Sequence, residues 1–298
     1  MNKVEERNRT AAAQRFHAGL SPPVETLDLA KSLLSAHHAE RSAQRSRHYL
    51  KSSQLEAKAR NLALAQVRAD GAEAQELEQA RRQWIERRLN DGGNGHARRQ
   101  RRVREQDLAT IVQPGLTLAV PPYDFDWISV HGEGSAHASA GTGDYALHVR
   151  SLGAGEASMA AGVGFWFYSG AGNPMQRFAA LIDYADDWWD SAHFYVAHND
   201  GRTRLWVFGA AERNWVAQSD QAPSWNDGVG WLEQHGNDPV GEDGTVANVT
   251  YFNAVPNNWY QCWIWSVGDV YADSGYWGYS ASAINLDVSV QLGILGGL

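Results

Sequence analysis

The residues most able to do chemistry are aromatic side chains placed on turns. Trp225 and Trp231 fall in the polar, Gly-rich stretch 220–245, which reads as a long loop. Tyr276 and Trp277 fall in a second Gly-rich turn. A flat aromatic face packs against the C–H groups of a sugar ring, and an indole in a loop is costly to expose without a use. These four are the glycan-binding candidates. The denser clusters, Phe165-Trp166-Phe167-Tyr168 and Trp259, Tyr260, Trp263 and Trp265, predict something different. Strand neighbours point to opposite faces. These segments are therefore apolar on both sides, as in central strands whose outer face is covered by a helix, a loop or another subunit.

Among titratable groups, Asp183, Asp186, Asp187 and Asp190 crowd one acidic stretch, and Asp238, Glu242 and Asp243 another. Hard carboxylate oxygens on a turn can hold Ca²⁺. Neither stretch has the D-x-[DN]-x-[DN]-G spacing, so both read as solvated acidic turns, with Asp183, Asp186, Asp187 and Asp190 as the weak metal candidates. His131, Glu133 and His137 would share a face if 126–140 were one strand, but no further ligand is signalled. There is no G-x-S-x-G, no P-loop and no H-E-x-x-H. Cys262, the single cysteine, sits among Trp259, Trp263, Ile264 and Trp265 and reads as a buried, inert thiol. No catalytic residue and no cofactor are assigned.

The elements that must position these groups differ sharply between the two ends of the chain. Residues 1–110 hold 21 Lys and Arg against 14 Asp and Glu, whereas residues 111–298 hold 5 against 20. Twelve of the 13 tryptophans and 24 of the 29 glycines follow residue 110. Such asymmetry argues for two modules. Residues 1–24 read as an extended or flexible N-terminus, 25–112 as a helical, basic assembly arm with a hinge at 91–95, and 113–298 as a Trp-rich, acidic β-sandwich. Residues 25–69 contain no Gly or Pro and are rich in good helix formers. Leu29, Ala36, Ala43, Leu50, Ala57 and Leu64 recur every seven residues, a narrow stripe like a coiled-coil seam. A second helix is expected at about 72–90 and a third, basic segment at 97–112.

In the β half, strands are expected at 126–140, 144–151, 156–168, 177–185, 191–198, 203–209, 213–219, 246–253, 259–272 and 279–293. Asn199-Asp200-Gly201 reads as a hairpin turn. Ile284, Leu286, Val288 and Val290 alternate with Asn285, Asp287, Ser289 and Gln291, one face core and one wet. The fold class expected is α+β in two parts: an N-terminal helical arm, then an all-β antiparallel sandwich, jelly-roll-like.

Three function classes follow. The first is a non-enzymatic structural or self-assembly protein, its partner a second copy of itself, with the arm as oligomer seam and the sandwich as the body of a particle, tail or filament. The second is a lectin-like module that binds a surface glycan. An enzyme without a recognisable motif comes last. The run Arg98, Arg99, Arg101, Arg102 and Arg104 suits electrostatic docking on the acidic half of the same or a neighbouring chain, in preference to nucleic acid. No stretch is long and apolar enough to span a membrane, and no Sec signal peptide opens the sequence. Synthesis in the cytoplasm, and residence there or in a released particle, is the expectation.

Overall fold

A 43-residue helix, α1 (Glu25–Val67), opens the described structure. Pro22-Pro23 ends the extended approach, and Glu25 and Asp28 place negative charge in the first turn, where the helix dipole favours it. The Thr26 hydroxyl donates to the Pro23 carbonyl (2.8 Å). The buried residues are Thr26, Ala30, Leu34 and His38, spaced four apart along one face. In this computed structural model the described residues are 21–67, 83, 116–153, 155–170, 174–192, 196–230, 234–236, 242–273 and 280–297. The expected second helix, hinge and basic third segment lie outside them, apart from the isolated position 83.

Twelve strands follow: β1 (Leu116–Ala119), β2 (Phe125–His131), β3 (Gly134–Ser139), β4 (Asp144–Leu152), β5 (Gly155–Tyr168), β6 (Met175–Ala192), β7 (Val196–Gly209), β8 (Asn214–Gly230), β9 (Gln234–Gly236), β10 (Glu242–Asn253), β11 (Trp259–Ala272) and β12 (Ser280–Gly297). They form two antiparallel sheets. One has the order β2-β5-β11-β7-β8. The other runs β10-β6-β12-β4-β3, with β1 paired to β12 and β9 to β6. The expected helix followed by an antiparallel two-sheet sandwich is the fold observed.

Alternation fills the space between the sheets. Met159, Phe165, Tyr260, Cys262 and Ile264 from the five-stranded sheet meet Tyr145, Leu147, Phe178, Ile284 and Leu286 from the other. The two aromatic segments are central strands, as expected: β5 lies between β2 and β11, and β11 between β5 and β7. Their outward residues form a second cluster in which Phe125, Trp127, Trp166, Trp206, Trp263 and Trp265 pack beneath Ala30 and Leu34 of α1. The covering element is thus the chain's own helix.

Four local expectations are corrected. Residues 126–140 are not one strand: the chain turns at Gly132, whose φ of 81° disfavours a side chain, and passes from β2 in one sheet to β3 in the other. Asn199-Asp200-Gly201 is no hairpin turn but the middle of the continuous strand β7. Gly201 is needed there because the Trp225 ring occupies the place of a Cβ. The 220–245 loop is largely strand, since β8 runs to Gly230 and β10 begins at Glu242. The acidic stretch 183–190 is not a turn either, and lies inside β6.

Candidate functional site

The outward face of the seven-stranded sheet gathers polar side chains from five strands, β3, β4, β12, β6 and β10. Register sets them in rows. Ser135, His148, Asn285 and Asp187 are cross-strand neighbours in the first row. His137, Ala146, Asp287 and Ala185 form the second. Ser139, Asp144, Ser289 and Asp183 form the third, extended by Thr245 of β10. His148 Nδ1 lies 3.1 Å from Asn285 Oδ1, and Asn285 Nδ2 donates to Asp187 Oδ2 at 3.4 Å. In the third row the Thr245 hydroxyl donates to Asp183 Oδ1 (2.5 Å). The two alanines flanking Asp287 make the middle row low and its neighbours high, a shallow trough about 14 Å long across four strands. Asn285, Asp287 and Ser289 are half-buried, and His137, His148 and Thr245 are exposed. Such a surface offers carboxylate and amide oxygens as acceptors, and amide, imidazole and hydroxyl groups as donors. Its three rows hold no Lys or Arg. Hydrogen bonding to a neutral polyol suits that chemistry; holding an anion does not.

A second polar assembly lies under α1. Asp200 of β7 and Asp269 of β11 are buried on the outward face of the five-stranded sheet. Arg41 reaches both, at 2.5 Å to Asp200 Oδ1 and 2.9 Å to Asp269 Oδ2. Arg45 adds 2.9 Å to Asp200 Oδ2, and Arg202 adds 3.1 Å. Burial alone would push the Asp200 carboxyl up, yet Arg45, Arg202 and Arg41 hold it below its ordinary value. His38 is enclosed beside them, with Nδ1 2.8 Å from Ser129 Oγ and Nε2 2.6 Å from Ser158 Oγ. Ser158 donates in turn to Asp269. With Ser158's proton given to Asp269, Nε2–H donates to Ser158 and Nδ1 accepts from Ser129, so the imidazole is neutral. Burial brings its pKa from 6.5 to about 4, with Asp269 opposing. Arg204, between Asp220 (2.8 Å) and the faces of Trp206 and Trp265, completes the seam. A Ser–His–Asp trio is thus present, but every member is spent on fastening the helix to the sheet.

The residues singled out in the sequence are distributed as follows. Trp225 is a half-buried strand residue packed on Gly201 and the inter-sheet core, not a loop residue. Trp231, Tyr276 and Trp277 lie outside the described residues, as do Arg98, Arg99, Arg101, Arg102 and Arg104. On α1, Leu29 packs against the tryptophan cluster, and Ala36 and Ala43 are exposed. Leu50, Ala57 and Leu64 continue the helix with side chains outside the description. Asp183 and Asp187 have the outward parity, Asp183 half-buried and Asp187 buried, whereas Asp186 and Asp190 have the opposite parity and are buried. His131 and His137 stand on different sheets, and Glu133 pairs with Arg150 (2.7 Å), so the single-face ligand trio does not form. Among the described residues no group of three or more His, Cys, Asp or Glu gathers as a metal cluster. Cys262 is fully buried, and burial raises its thiol well above the ordinary range.

Sequence reasoning missed the helix clamp. Its signal was the polar stretch His198–Arg204 between the apolar residues of one strand, which resembles a turn as long as only local partners are considered. It also named the wet face of β12 without seeing that β4 and β6 extend it.

No family model matches the chain, and neither does any curated protein. Among solved structures, the carbohydrate-binding module TmCBM61 in complex with β-1,4-galactotriose is 12% identical, with 55% of this chain and 88% of that one covered and a TM-score of 0.17. A carbohydrate-binding module of the β-sandwich superfamily is 12% identical over 61% and 58%, with a TM-score of 0.20. A structure of infectious bursal disease virus, Gx strain, is 10% identical over 61% and 35%, with a TM-score of 0.16. Likeness at these scores carries no argument about ligand or activity. The class defined by the described residues is a helix-clamped antiparallel β-sandwich.

Proposed function

We propose that the chain is a non-enzymatic, lectin-like module whose binding surface for neutral oligosaccharide is the outward trough of the seven-stranded sheet. The observation that supports this most is the row His148–Asn285–Asp187, hydrogen-bonded across three strands beside the low row Ala146–Asp287–Ala185. A sugar chain needs a rigid array of donors and acceptors with room above it, and sheet-borne side chains supply both. The segments carrying Trp231, Tyr276 and Trp277 join the described strands at Gly230, Gln234, Asp273 and Ser280. Gln234 and Ser280 pair with Ser191 and Ala192 of β6, a few residues along that strand from Asp187. The stacking residues proposed on sequence grounds are Trp231, Tyr276 and Trp277. A glycan array of the wild type beside an Asn285→Ala/Asp287→Ala double variant tests the reading. Binding to neutral oligosaccharides that the variant loses while keeping its melting temperature supports it. Equal binding by both proteins, or none by either, overturns it.

A second reading, self-assembly, rests on a separate observation. Among the described side chains, the face Thr26–His38, with Arg41 and Arg45, fastens α1 to its own body, while Ala36 and Ala43 of the heptad row are exposed. The helix is about 64 Å long at 1.5 Å per residue, longer than that clamp. A second copy of α1 is the partner this row would take, and Leu50→Asp should return an assembled protein to monomers in sedimentation.

A further inference from the structure

The sandwich interior is mostly apolar, and its inward hydroxyls at Tyr145, Thr203 and Ser266 bond one another; one end differs. There, Asp190 and its cross-strand neighbour Ser282 face inward from the seven-stranded sheet. Asn199, with Asp227 as its neighbour, faces inward from the five-stranded one. Asp190, Asn199 and Ser282 are each 0% exposed. One hydrogen bond crosses the gap, from Asn199 Nδ2 to Asp190 Oδ2 at 2.7 Å. The other oxygen of each side chain, Asp190 Oδ1 and Asn199 Oδ1, is buried without a hydrogen-bond partner. The Ser282 hydroxyl and the Asn199 backbone N–H also lie within hydrogen-bonding reach of the Asp190 carboxylate, but the hydroxyl lies 3.0 Å from the His198 carbonyl as well, so its one proton is shared between two acceptors.

A buried acceptor without a donor is expensive, and an ionised carboxylate without a counter-charge more so. Here side-chain oxygens from both sheets lie close together, since the Asn199 amide meets the Asp190 carboxylate across the gap. Burial pushes the Asp190 carboxyl up to about 8, with the Asp227 carboxylate adding to the rise. Carboxylate, amide and hydroxyl oxygens together, with no thiolate, are the donor set of a hard cation.

We infer that Asp190, Asn199 and Ser282, with the Asp227 carboxylate beside them, form an interior site for a hard divalent cation of the calcium kind, which ties the two sheets together at this end. The donors come from four strands, β6, β7, β8 and β12. Binding therefore stabilises the sandwich itself and is independent of what the outer trough recognises. Only two of the donors are carboxylates, which is why the site does not appear as an acidic cluster.

Calorimetric titration of the full chain with CaCl₂ after chelator treatment, with MgCl₂ and NaCl in parallel, tests the inference. One Ca²⁺ per chain and a higher melting temperature are expected. Tryptophan-sensitised Tb³⁺ emission, displaced by Ca²⁺, reads the same site without any variant; Trp188 and Trp189 adjoin Asp190 in the chain. Asp190→Asn should lose the heat, the sensitised emission and the thermal response together. Its metal-free melting temperature should equal or exceed that of the wild type, since an amide replaces an uncompensated buried acid. A wild type without heat, emission or thermal response to Ca²⁺ would overturn the inference. So would an Asp190→Asn variant that retains all three.

Discussion

On the five-stranded sheet the outward residues of β5, β7 and β11 include Trp166, Trp206, Trp263 and Trp265, all buried. On the seven-stranded sheet the outward residues of β4, β6 and β12 include His148, Asp187, Asn285 and Asp287. The same period-two alternation builds both faces, and the inward residues of the two sheets are equally apolar. What differs is the destination of the outer face. One is finished by 20-odd residues of α1, which bring leucine, alanine, histidine and arginine to a tryptophan floor. The other carries its hydrogen-bonding rows between two apolar patches, one around Trp189, Ala281 and Ala283 and one around Ala179, Leu292 and Ile294. Where an outward face is covered its residues are apolar, and where they meet water or a ligand they are polar.

The harshest way to break this contrast is to remove the cover. A chain starting at residue 68 exposes the indoles under α1, and we expect it to aggregate or to bind a hydrophobic dye strongly. A soluble, dye-silent monomer would show that the aromatic face does not need its helix. Next in size is the clamp. Asp200→Ala leaves three arginines with fewer carboxylates, Arg41 and Arg45 sharing Asp269 and Arg202 keeping Asp220, and stripping one partner from a buried pair costs up to about 3–5 kcal/mol. Chemical denaturation should show that loss, with the helical signal falling in the same step. Leu34→Asp puts an unpaired charge on the tryptophan floor and should cost several kcal/mol by the same measurement.

Acid should loosen the clamp by a smaller amount. Native His38 is held near 4 against an ordinary 6.5. As pH falls through that interval the unfolded chain takes up the proton first, so stability drops, by about 3 kcal/mol in total. Asp190, raised to about 8, acts in the opposite sense over the same range. The effect is therefore read as the difference between the wild type and His38→Gln, which should be level above pH 6.5, shrink by that amount between pH 6.5 and 4, and be level again below. A difference constant with pH would mean that the imidazole is not held neutral. At the small end, Asn285→Ala and Asp287→Ala sit on the open face and should each change stability by no more than about 0.5 kcal/mol. A large loss in either would make that face structural.

Much of this contrast is present in the sequence, unevenly. The alternation of residues 284–291 gave both the core and the wet face of β12, and two-sided aromatic runs marked β5 and β11 as central strands with a covered outer side. Polar residues inside strands defeated local reading. Asp200 stands in the middle of β7 because its partner Arg41 is 159 residues away in sequence. Without that partner in view, Asn-Asp-Gly has the chemistry of a turn. Trp225 has the sequence surroundings of a loop residue because the polar groups around it, Asn226 among them, find their partners on β7, with Asn226 Nδ2 donating to Asp200 at 3.0 Å. The trough was half visible: Asn285 and Asp287 stood out as wet, but which strands flank β12 is a matter of topology. The separation of His131 from His137 likewise depends on one glycine turning the chain between sheets.

The central claim is that the open face, not the covered one, meets the ligand. Amide chemical-shift mapping with the strongest neutral oligosaccharide from the array tests it most directly. The account predicts perturbations centred on Ala146, His148, Asp187, Asn285 and Asp287, with the tryptophans beneath α1 unmoved. Shifts centred on the α1–tryptophan interface, or none at saturating sugar, would contradict it.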